Sequence, residues 1–309
     1  MAEKIATRQA YGDALVKFGE EYPQLVVMDA DLSQSTKTVG FRKAYPDRFF
    51  NMGIAEQNLY GAAAGLALSG KTVCASTFAM FASGRAFEIV RNAIGYTKAN
   101  VKICATHAGI TVGEDGSSHQ TFEDIALMRT IPGMTVINPS DGVSTEKLLR
   151  QAIEMQGPCY VRLGRSAVPI FYSEDDELLL GKGNVLRGGQ DVSVIATGIM
   201  VNEAMIAAET LAGEGIDARV IDIHTIKPID EEIIIKAAEE TGAIVTAEEH
   251  SIIGGLGSAV AETVVKNAPV KMAMVGQKDV YGESGKPDEL RKKHGMTADD
   301  IVKAVKSVL

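Results

Sequence analysis

Short apolar runs alternate with amphipathic segments along the whole chain, and this alternation limits the possible folds more than any other feature. Runs such as 25–29, 101–106 and 192–196 have the length and apolar content of buried strands. Helix-like segments such as 145–155 and 202–212 precede and follow the last of these runs. Alternating strands and helices are typical of proteins with mostly parallel sheets covered by helices. The sequence therefore predicts an α/β fold.

The length of the chain predicts two such units. It has 309 residues, about twice the length of an ordinary compact domain. The stretch 173–190 contains four consecutive acidic residues and, near its end, two glycines, a composition typical of connecting segments. We therefore predict a first domain over 1–172, a linker over 173–190 and a second domain over 191–309, each with a mostly parallel sheet flanked by helices. A surface loop within one domain is the alternative interpretation of the acidic stretch.

Charge and cysteine content exclude several classes of protein. The chain has 31 basic and 40 acidic residues, a net charge of −9, so we do not expect a nucleic-acid partner. Cys74, Cys104 and Cys159 lie in apolar runs without metal-binding spacing, which favours buried apolar residues in a reducing compartment. No stretch approaches the ~18 apolar residues of a membrane span, and the N-terminus lacks a signal pattern. We expect a cytoplasmic chain that does not interact with membranes.

Polar residues are concentrated in three segments, 29–35, 51–58 and 106–120. The first and third follow predicted strands, and loops at the carboxyl ends of parallel strands are where α/β proteins bind ligands. The third segment combines two histidines and two acids with three glycines. Its spacing matches no zinc pattern, so we expect no metal ligands in this chain. A solvated loop without function is the alternative.

Glu56 stands just before a predicted helix over 59–68 that is rich in alanine and glycine. A carboxylate at a helix N-terminus is stabilised by the helix dipole. Spacing alone therefore favours an acid without a catalytic role. Asp31 and Ser35 are, in the same way, candidates for capping a helix.

Together these segments resemble the C-terminal portion of transketolase, over essentially the whole chain. The resemblance rests on Gly53-Ile54-Ala55-Glu56-Gln57 and Gly113-Glu114-Asp115-Gly116-Ser117-Ser118-His119-Gln120, with Ser76-Thr77-Phe78 between them. It implies a pyrimidine-binding domain over 1–172 and a transketolase C-terminal domain over 191–309. It also implies thiamine diphosphate as the cofactor and a role in the pentose phosphate pathway.

One motif of full-length transketolases is missing from the sequence. Their N-terminal domain carries Gly-Asp-Gly and a later asparagine, which hold the metal ion and the diphosphate of the cofactor, and no Gly-Asp-Gly occurs here. The chain therefore resembles the C-terminal subunit of a split transketolase, and we expect a separate N-terminal subunit to bind Mg²⁺ or Ca²⁺. Because cofactor sites in this family lie between subunits, we expect two copies of this chain to form a dimer within a heterotetramer.

The resemblance gives Glu56 and His119 catalytic roles. Thiamine diphosphate must lose a proton from its thiazolium ring, and its own aminopyrimidine is the base once N1′ is protonated or hydrogen-bonded. A carboxyl group in an apolar pocket suits that contact, because burial favours its protonated form. Glu56 matches this carboxyl, and His119 matches a residue near the reacting carbons that assists proton transfer.

The same resemblance implies the other contacts of the cofactor. Phe78 and Phe81 match the aromatic wall around the pyrimidine ring. Leu32 matches the bulky residue that bends the cofactor, and Asp31 lies beside it. The family has a further aromatic residue where this chain has Gly84, so that part of the wall is expected to be missing or supplied otherwise.

The implied substrates are sugar phosphates. The resemblance places Arg8, Ser35, His107 and Arg165 around the phosphate, which suits the forked donors of arginine. Asp115 matches the acid that accepts a hydrogen bond from the 2-hydroxyl of the sugar. The implied reaction transfers a two-carbon ketol unit from a ketose phosphate to an aldose phosphate.

Three other functions are compatible with part of this sequence pattern. 1-Deoxy-D-xylulose 5-phosphate synthase shares much of this half, but typically lacks a histidine at the position of His107 and usually reads Gly-Ala-Asp-Gly where this chain has 113–116. A β subunit of a 2-oxo acid dehydrogenase shares the two-domain plan, but not the loop 107–120. A non-catalytic scaffold subunit would keep the fold, and the retained set of predicted site residues argues against it.

Overall fold

The structure, a computed structural model, describes residues 3–309. The strands are β1 (Lys4–Ala6), β2 (Leu25–Asp29), β3 (Phe49–Asn51), β4 (Thr72–Phe78), β5 (Val101–Thr106), β6 (Thr135–Ile137), β7 (Cys159–Arg162), β8 (Ala167–Pro169), β9 (Asn184–Arg187), β10 (Val192–Ala196), β11 (Ala218–Asp222), β12 (Thr225–Lys227), β13 (Ala243–Ser251) and β14 (Lys271–Gln277).

Helices lie between most of these strands. They are α1 (Thr7–Glu21), α2 (Ser33–Thr36), α3 (Val39–Ala44), α4 (Glu56–Leu68), α5 (Phe87–Ile89), α6 (Asp124–Thr130), α7 (Gly142–Glu154), α8 (Met200–Gly213), α9 (Glu231–Thr241), α10 (Leu256–Asn267), α11 (Pro287–Lys293) and α12 (Ala298–Val308). Pro46–Arg48 and Ile110–Asp115 are 3₁₀ turns, and Phe81–Arg85 and Val90–Tyr96 are π-helical segments.

The first sheet has the strand order β12-β6-β7-β5-β4-β2-β3. Its strands are parallel except for β12, which pairs antiparallel with β6. Strands β2, β4 and β5 are buried along their whole length, as expected of parallel strands covered on both faces. Helices α1 and α7 cover one face, and α4 and α6 cover the other.

The second sheet has the order β14-β13-β10-β11-β9 and is parallel except for β9. Helices α8 and α12 cover one face, and α9 and α10 cover the other. The predicted α/β class, with two mostly parallel sheets flanked by helices, is therefore confirmed.

Two short strands differ from the predicted layout. Strand β9 lies within the stretch predicted as a linker, 173–190, and pairs with β11, so the last part of that stretch belongs to the second sheet. Strand β12 comes from the second half of the chain, yet it completes the edge of the first sheet. Each has three or four residues, too few for sequence periodicity to reveal, and the pairing of β12 ties the two halves together.

Candidate functional site

The predicted site residues gather at one edge of the first sheet, where three parallel strands end. In the register of the sheet, Asp29 of β2 pairs with Ser76 of β4, and Phe78 of β4 pairs with Thr106 of β5. The segments that follow these strand ends, together with the first turn of α1, carry most of the predicted contacts. This edge is where open α/β sheets bind their ligands.

Glu56 begins helix α4 and is buried, with 2% of its side chain exposed. Both of its carboxylate oxygens accept hydrogen bonds from Nη1 of Arg85, at 3.0 and 2.9 Å. Arg85 is half exposed, and its guanidinium carbon lies 4.5 Å from the centre of the Phe81 ring. Glu56 thus holds a flat, cationic donor that is stacked on an aromatic ring.

Four ring side chains form a cluster beside this pair. Phe78 stacks on His107 with ring centres 3.9 Å apart, and on Phe81 with ring centres 6.0 Å apart. The edge of His119 faces Phe81 at 5.4 Å. Phe81 and His119 are partly exposed, so the cluster offers an aromatic wall that a planar ligand can reach.

His107 is held as a neutral imidazole. Arg8 Nη1 lies 3.0 Å from its Nε2, and Thr106 Oγ1 lies 2.8 Å from its Nδ1. Because a guanidinium only donates, Nε2 accepts and Nδ1 carries the proton. Burial, with Arg8 and Arg165 nearby, lowers the pKa of His107 to about 3. Its φ of 57° lies in the left-handed region, and such strain is concentrated at functional sites.

Two arginines approach His107 from different parts of the chain. Arg8 donates to the backbone oxygen of Ser35 at 2.9 Å, so its contact is with the main chain of Ser35 and not with the hydroxyl. Arg165 donates to the backbone oxygen of Val112 and to Glu114 Oε2. Burial and the charge of Arg165 lower the pKa of Arg8. Neighbouring cations of this kind are suited to bind an anion.

The loop after β2 is closed by Asp29 and not by the predicted capping residues. Asp29 Oδ1 accepts from the backbone of Leu32, and Oδ2 accepts from Thr36 and Thr38. Asp31 has a φ of 63°, and its carboxylate accepts a hydrogen bond from Asn51 Nδ2 at 2.9 Å. Helix α2 has no side-chain cap, so the capping role considered for Asp31 and Ser35 is wrong, and the buried carboxylate of Asp29 holds this loop instead.

Asp115 and His119 lie on a loop that the second half of the chain holds in place. Glu249 of β13 accepts a hydrogen bond from the backbone of Thr111 at 2.7 Å. Gln120 donates to the backbone oxygens of Ile110 and Gly113 and, from the same Nε2, to that of Glu283 at 2.9 Å. Asp115 is exposed on this loop. The C-terminal half therefore shapes a segment of the candidate site.

The aromatic wall lacks a ring at Gly84, where the resemblance implied a further aromatic residue. A Cβ at Gly84 would lie 2.6 Å from the terminal methyl of Met80, so a larger residue there would require that side chain to move. The next residue, Arg85, instead covers Phe81. The segment Phe81–Arg85 is π-helical, a geometry that is frequent at functional sites.

Sequence reasoning missed Arg85, Asp29, Gln120 and Glu249 as parts of this region. Asp29 and Gln120 lie inside two of the three polar segments of the sequence. The sequence therefore indicated where they lie but not which contacts they make. Arg85 and Glu249 lie outside the three polar segments. Nothing in the neighbouring sequence distinguishes Arg85 from a surface arginine, or Glu249 from any other glutamate.

Within residues 3–309, no helix is long and apolar enough to span a membrane, and no group of three or more potential ligand side chains is arranged to hold a metal ion. All three cysteines are free and buried, which confirms their interpretation as small apolar residues. Burial raises the pKa of Cys159 to about 12.

The fold and the site define an α/β chain with two mostly parallel sheets, in which a buried carboxylate and an aromatic wall lie at the carboxyl edge of the first sheet. The family model described as "Transketolase, pyrimidine binding domain" matches residues 3–170, and "Transketolase, C-terminal domain" matches residues 181–301. The chain therefore belongs to the transketolase family, and the resemblance noted in the sequence is confirmed.

Curated relatives match the chain over nearly its full length. It is 53% identical over 301 residues to a putative transketolase C-terminal section from Methanocaldococcus jannaschii, which covers 96% of this chain and 94% of that protein. It is 44% identical to a 6-deoxy-6-sulfo-D-fructose transketolase subunit from a Clostridium species, with 97% and 94% covered. It is 40% identical to human transketolase, but it spans only 50% of that protein.

Solved structures show the same fold. The chain is similar to a split-gene transketolase described as an inactive β4 tetramer, with a TM-score of 0.93, 56% identity, and 99% and 98% of the two chains covered. Transketolase from Campylobacter jejuni has a TM-score of 0.83 at 20% identity and is covered over 47% of its length. This second likeness concerns the fold alone.

Proposed function

We propose that this chain is the C-terminal subunit of a two-chain transketolase. It would transfer a two-carbon ketol unit from a ketose phosphate to an aldose phosphate, with thiamine diphosphate as the cofactor. The observation that carries the proposal is the buried carboxylate of Glu56, which accepts two hydrogen bonds from a flat cation stacked on Phe81. An aminopyrimidine ring that donates from N1′ presents the same planar shape and the same donor.

The residues of this chain would bind and orient the pyrimidine end of the cofactor. When bound, thiamine diphosphate supplies a nucleophilic thiazolium carbon together with the base that deprotonates it. Glu56 would hold the proton at N1′, and Phe78 and Phe81 would stack on the ring and keep water away from it. Leu32 would press on the cofactor from the loop after β2, with Asp31 beside it.

The substrate would lie over the histidine and arginine cluster. Arg8, Arg165, His107 and Ser35 would bind its phosphate. Because His107 is neutral and Nε2 already accepts from Arg8, the positive charge for the phosphate would come from the arginines. Asp115 would accept a hydrogen bond from the 2-hydroxyl of the sugar, and His119, at the edge of Phe81, would move a proton near the reacting carbons.

A second chain would complete the site. Relatives of nearly the same length are named as a transketolase subunit or C-terminal section, which supports a partner that carries the diphosphate-binding domain. The partner would bind Mg²⁺ or Ca²⁺, and two copies of each chain would form a heterotetramer. The similar split-gene chain that forms an inactive β4 tetramer is consistent with self-association that is insufficient for activity.

The proposal is tested by a two-substrate assay with xylulose 5-phosphate, ribose 5-phosphate, thiamine diphosphate and Mg²⁺. The chain is assayed alone and with the N-terminal transketolase subunit from the same genome. Sedoheptulose 7-phosphate is expected only from the mixture. Product from the chain alone would contradict the need for a partner. A complex that binds the cofactor but makes 1-deoxyxylulose 5-phosphate from pyruvate and glyceraldehyde 3-phosphate would instead be a synthase.

A further inference from the structure

We propose that Arg85 is a displaceable placeholder for the pyrimidine ring, and that the two compete for Glu56 and Phe81. This inference rests on the proposed function, because it takes Glu56 and Phe81 as the pyrimidine contacts. It adds a residue outside the set predicted from the sequence, and it gives that residue a role in how readily the cofactor enters.

The geometry of Arg85 matches the two contacts that a pyrimidine requires. Its Nη1 donates to both oxygens of Glu56, at 3.0 and 2.9 Å. Its guanidinium carbon lies 4.5 Å from the centre of the Phe81 ring. A guanidinium is flat, carries in-plane donors and stacks on aromatic rings, so it has the same shape and hydrogen-bonding sense as a ring that donates from N1′.

Both groups cannot hold these contacts at once. The carboxylate of Glu56 is buried, and both of its oxygens accept from the half-exposed Arg85, so a ring that donates to the same oxygens takes the place of the guanidinium. The same guanidinium lies over the ring of Phe81. Binding of the ring therefore requires Arg85 to release Glu56 and move off Phe81.

Arg85 is suited to such a movement. Half of its side chain is exposed, so the guanidinium can turn into solvent without being buried unpaired. Arg85 ends the π-helical segment Phe81–Arg85, and the preceding residue, Gly84, has no side chain that could obstruct the guanidinium. An ion pair with one exposed partner is a modest interaction. It can hold Arg85 against Glu56 in the absence of a ligand, and a tightly bound ligand can replace it.

The competition predicts a specific change in cofactor binding. If only the fraction of molecules with Arg85 displaced can bind, the apparent dissociation constant is raised by the inverse of that fraction. Arg85→Ala should therefore bind thiamine diphosphate more tightly, by about twofold to sixfold, the change that follows from an ion pair of up to about 1 kcal/mol. The gain should lie in the association rate constant, since the bound state makes no contact with Arg85.

The experiment measures binding of thiamine diphosphate to the assembled two-chain enzyme by titration calorimetry with Ca²⁺ present, and its association rate by stopped flow. Arg85→Lys keeps the charge but loses the planar fork, so its affinity should lie between those of the wild type and Arg85→Ala. Arg91→Ala is the matched control, because Arg91 is exposed on the next helical segment and bonds only its neighbour Asn92 among residues 3–309. Its affinity should equal that of the wild type.

Equal or weaker binding by Arg85→Ala would overturn the inference, as would an equal gain in Arg91→Ala. A gain that lies wholly in a slower dissociation would also overturn it. If the wild-type assembly does not bind thiamine diphosphate, the proposed function and this inference both fail. If the wild type binds it and Arg85→Ala shows no gain, only the placeholder role of Arg85 is lost.

Discussion

Arg8 Nη1 lies 3.0 Å from Nε2 of His107, although 99 residues separate them in the sequence. The contact joins the first turn of α1 to the end of β5, and it fixes the tautomer of the imidazole. It also keeps a guanidinium next to a neutral ring and close to the charge of Arg165. This relationship is the structural basis for placing the phosphate of a substrate here.

Removing either arginine should therefore act on the phosphate of the substrate. Arg8→Ala and Arg165→Ala are each expected to raise KM for phosphorylated sugars about 10- to 100-fold, the weight of a charge-assisted hydrogen bond. KM for the unphosphorylated analogues should change little. Steady-state kinetics of the two-chain enzyme with both substrate classes measures the difference, with Arg91→Ala as the control. Equal effects on both classes would reject the phosphate assignment.

A buried ion pair is expected to stabilise the contact between the two halves. Arg162 Nε donates to Asp124 Oδ2 at 2.8 Å, and Arg162 Nη2 donates to the backbone oxygen of Glu249 at 2.8 Å. Although burial alone would raise the pKa of Asp124, Arg162 and His250 hold it below its usual value. Asp124→Asn would leave a buried guanidinium without its counter-charge. It should lower the free energy of unfolding by about 3–5 kcal/mol.

Urea denaturation measures this loss against an exposed pair. Glu262 bonds Arg129 at 2.9 Å and is 59% exposed, so Glu262→Gln should cost less than about 1 kcal/mol. Similar losses of unfolding free energy in the two variants would show that the buried pair stabilises the protein no more than the exposed pair does.

Asp222 should give stability a distinctive pH dependence. Its Oδ2 accepts from Ser140 and Tyr172, while Oδ1 has no hydrogen-bond partner among residues 3–309. Burial raises its pKa to about 7. Between its unfolded value of about 3.9 and pH 7, the folded state holds a proton that the unfolded state has lost. The stability that this group contributes is therefore complete below about pH 4 and is lost as pH rises towards and through 7.

Asp222→Asn should remove that dependence. From pH 5 to pH 8 the wild type is expected to lose about 2–3 kcal/mol more unfolding free energy than the variant. Denaturation at several pH values measures the difference, with the exposed Asp299→Asn as the control. Parallel curves for the wild type and Asp222→Asn would contradict the raised pKa.

Much of the fold follows from the sequence because the central strands are mostly apolar. Strands β2, β5 and β10 have the bounds that their apolar runs predict, and Glu56 begins the Ala- and Gly-rich helix that it was expected to precede. The convergence of the polar loops follows from their position after parallel strands. Local pattern and tertiary structure agree in these elements.

The remaining features depend on partners that are distant in the sequence. Strand β12 has three residues and acquires its structure by pairing with β6. Arg85 is indistinguishable in sequence from a surface arginine, and only the folded chain brings it to Glu56. Glu249 is one of two adjacent acids near the end of β13, and its contact with Thr111 spans 138 residues. Contacts between residues so far apart cannot be predicted from the sequence around either residue.

If Glu56 activates the cofactor, its loss should slow the exchange of the C2 proton of bound thiamine diphosphate, and this exchange rate measures the activation directly. Exchange is measured by quenched-flow NMR in D₂O with the assembled two-chain enzyme. Glu56→Gln should slow it on the order of 10²- to 10⁴-fold while the cofactor stays bound. Glu88→Gln, at an exposed acid on the neighbouring helix, should not change it. Exchange at the wild-type rate in Glu56→Gln, with the cofactor bound, would show that Glu56 does not activate the cofactor.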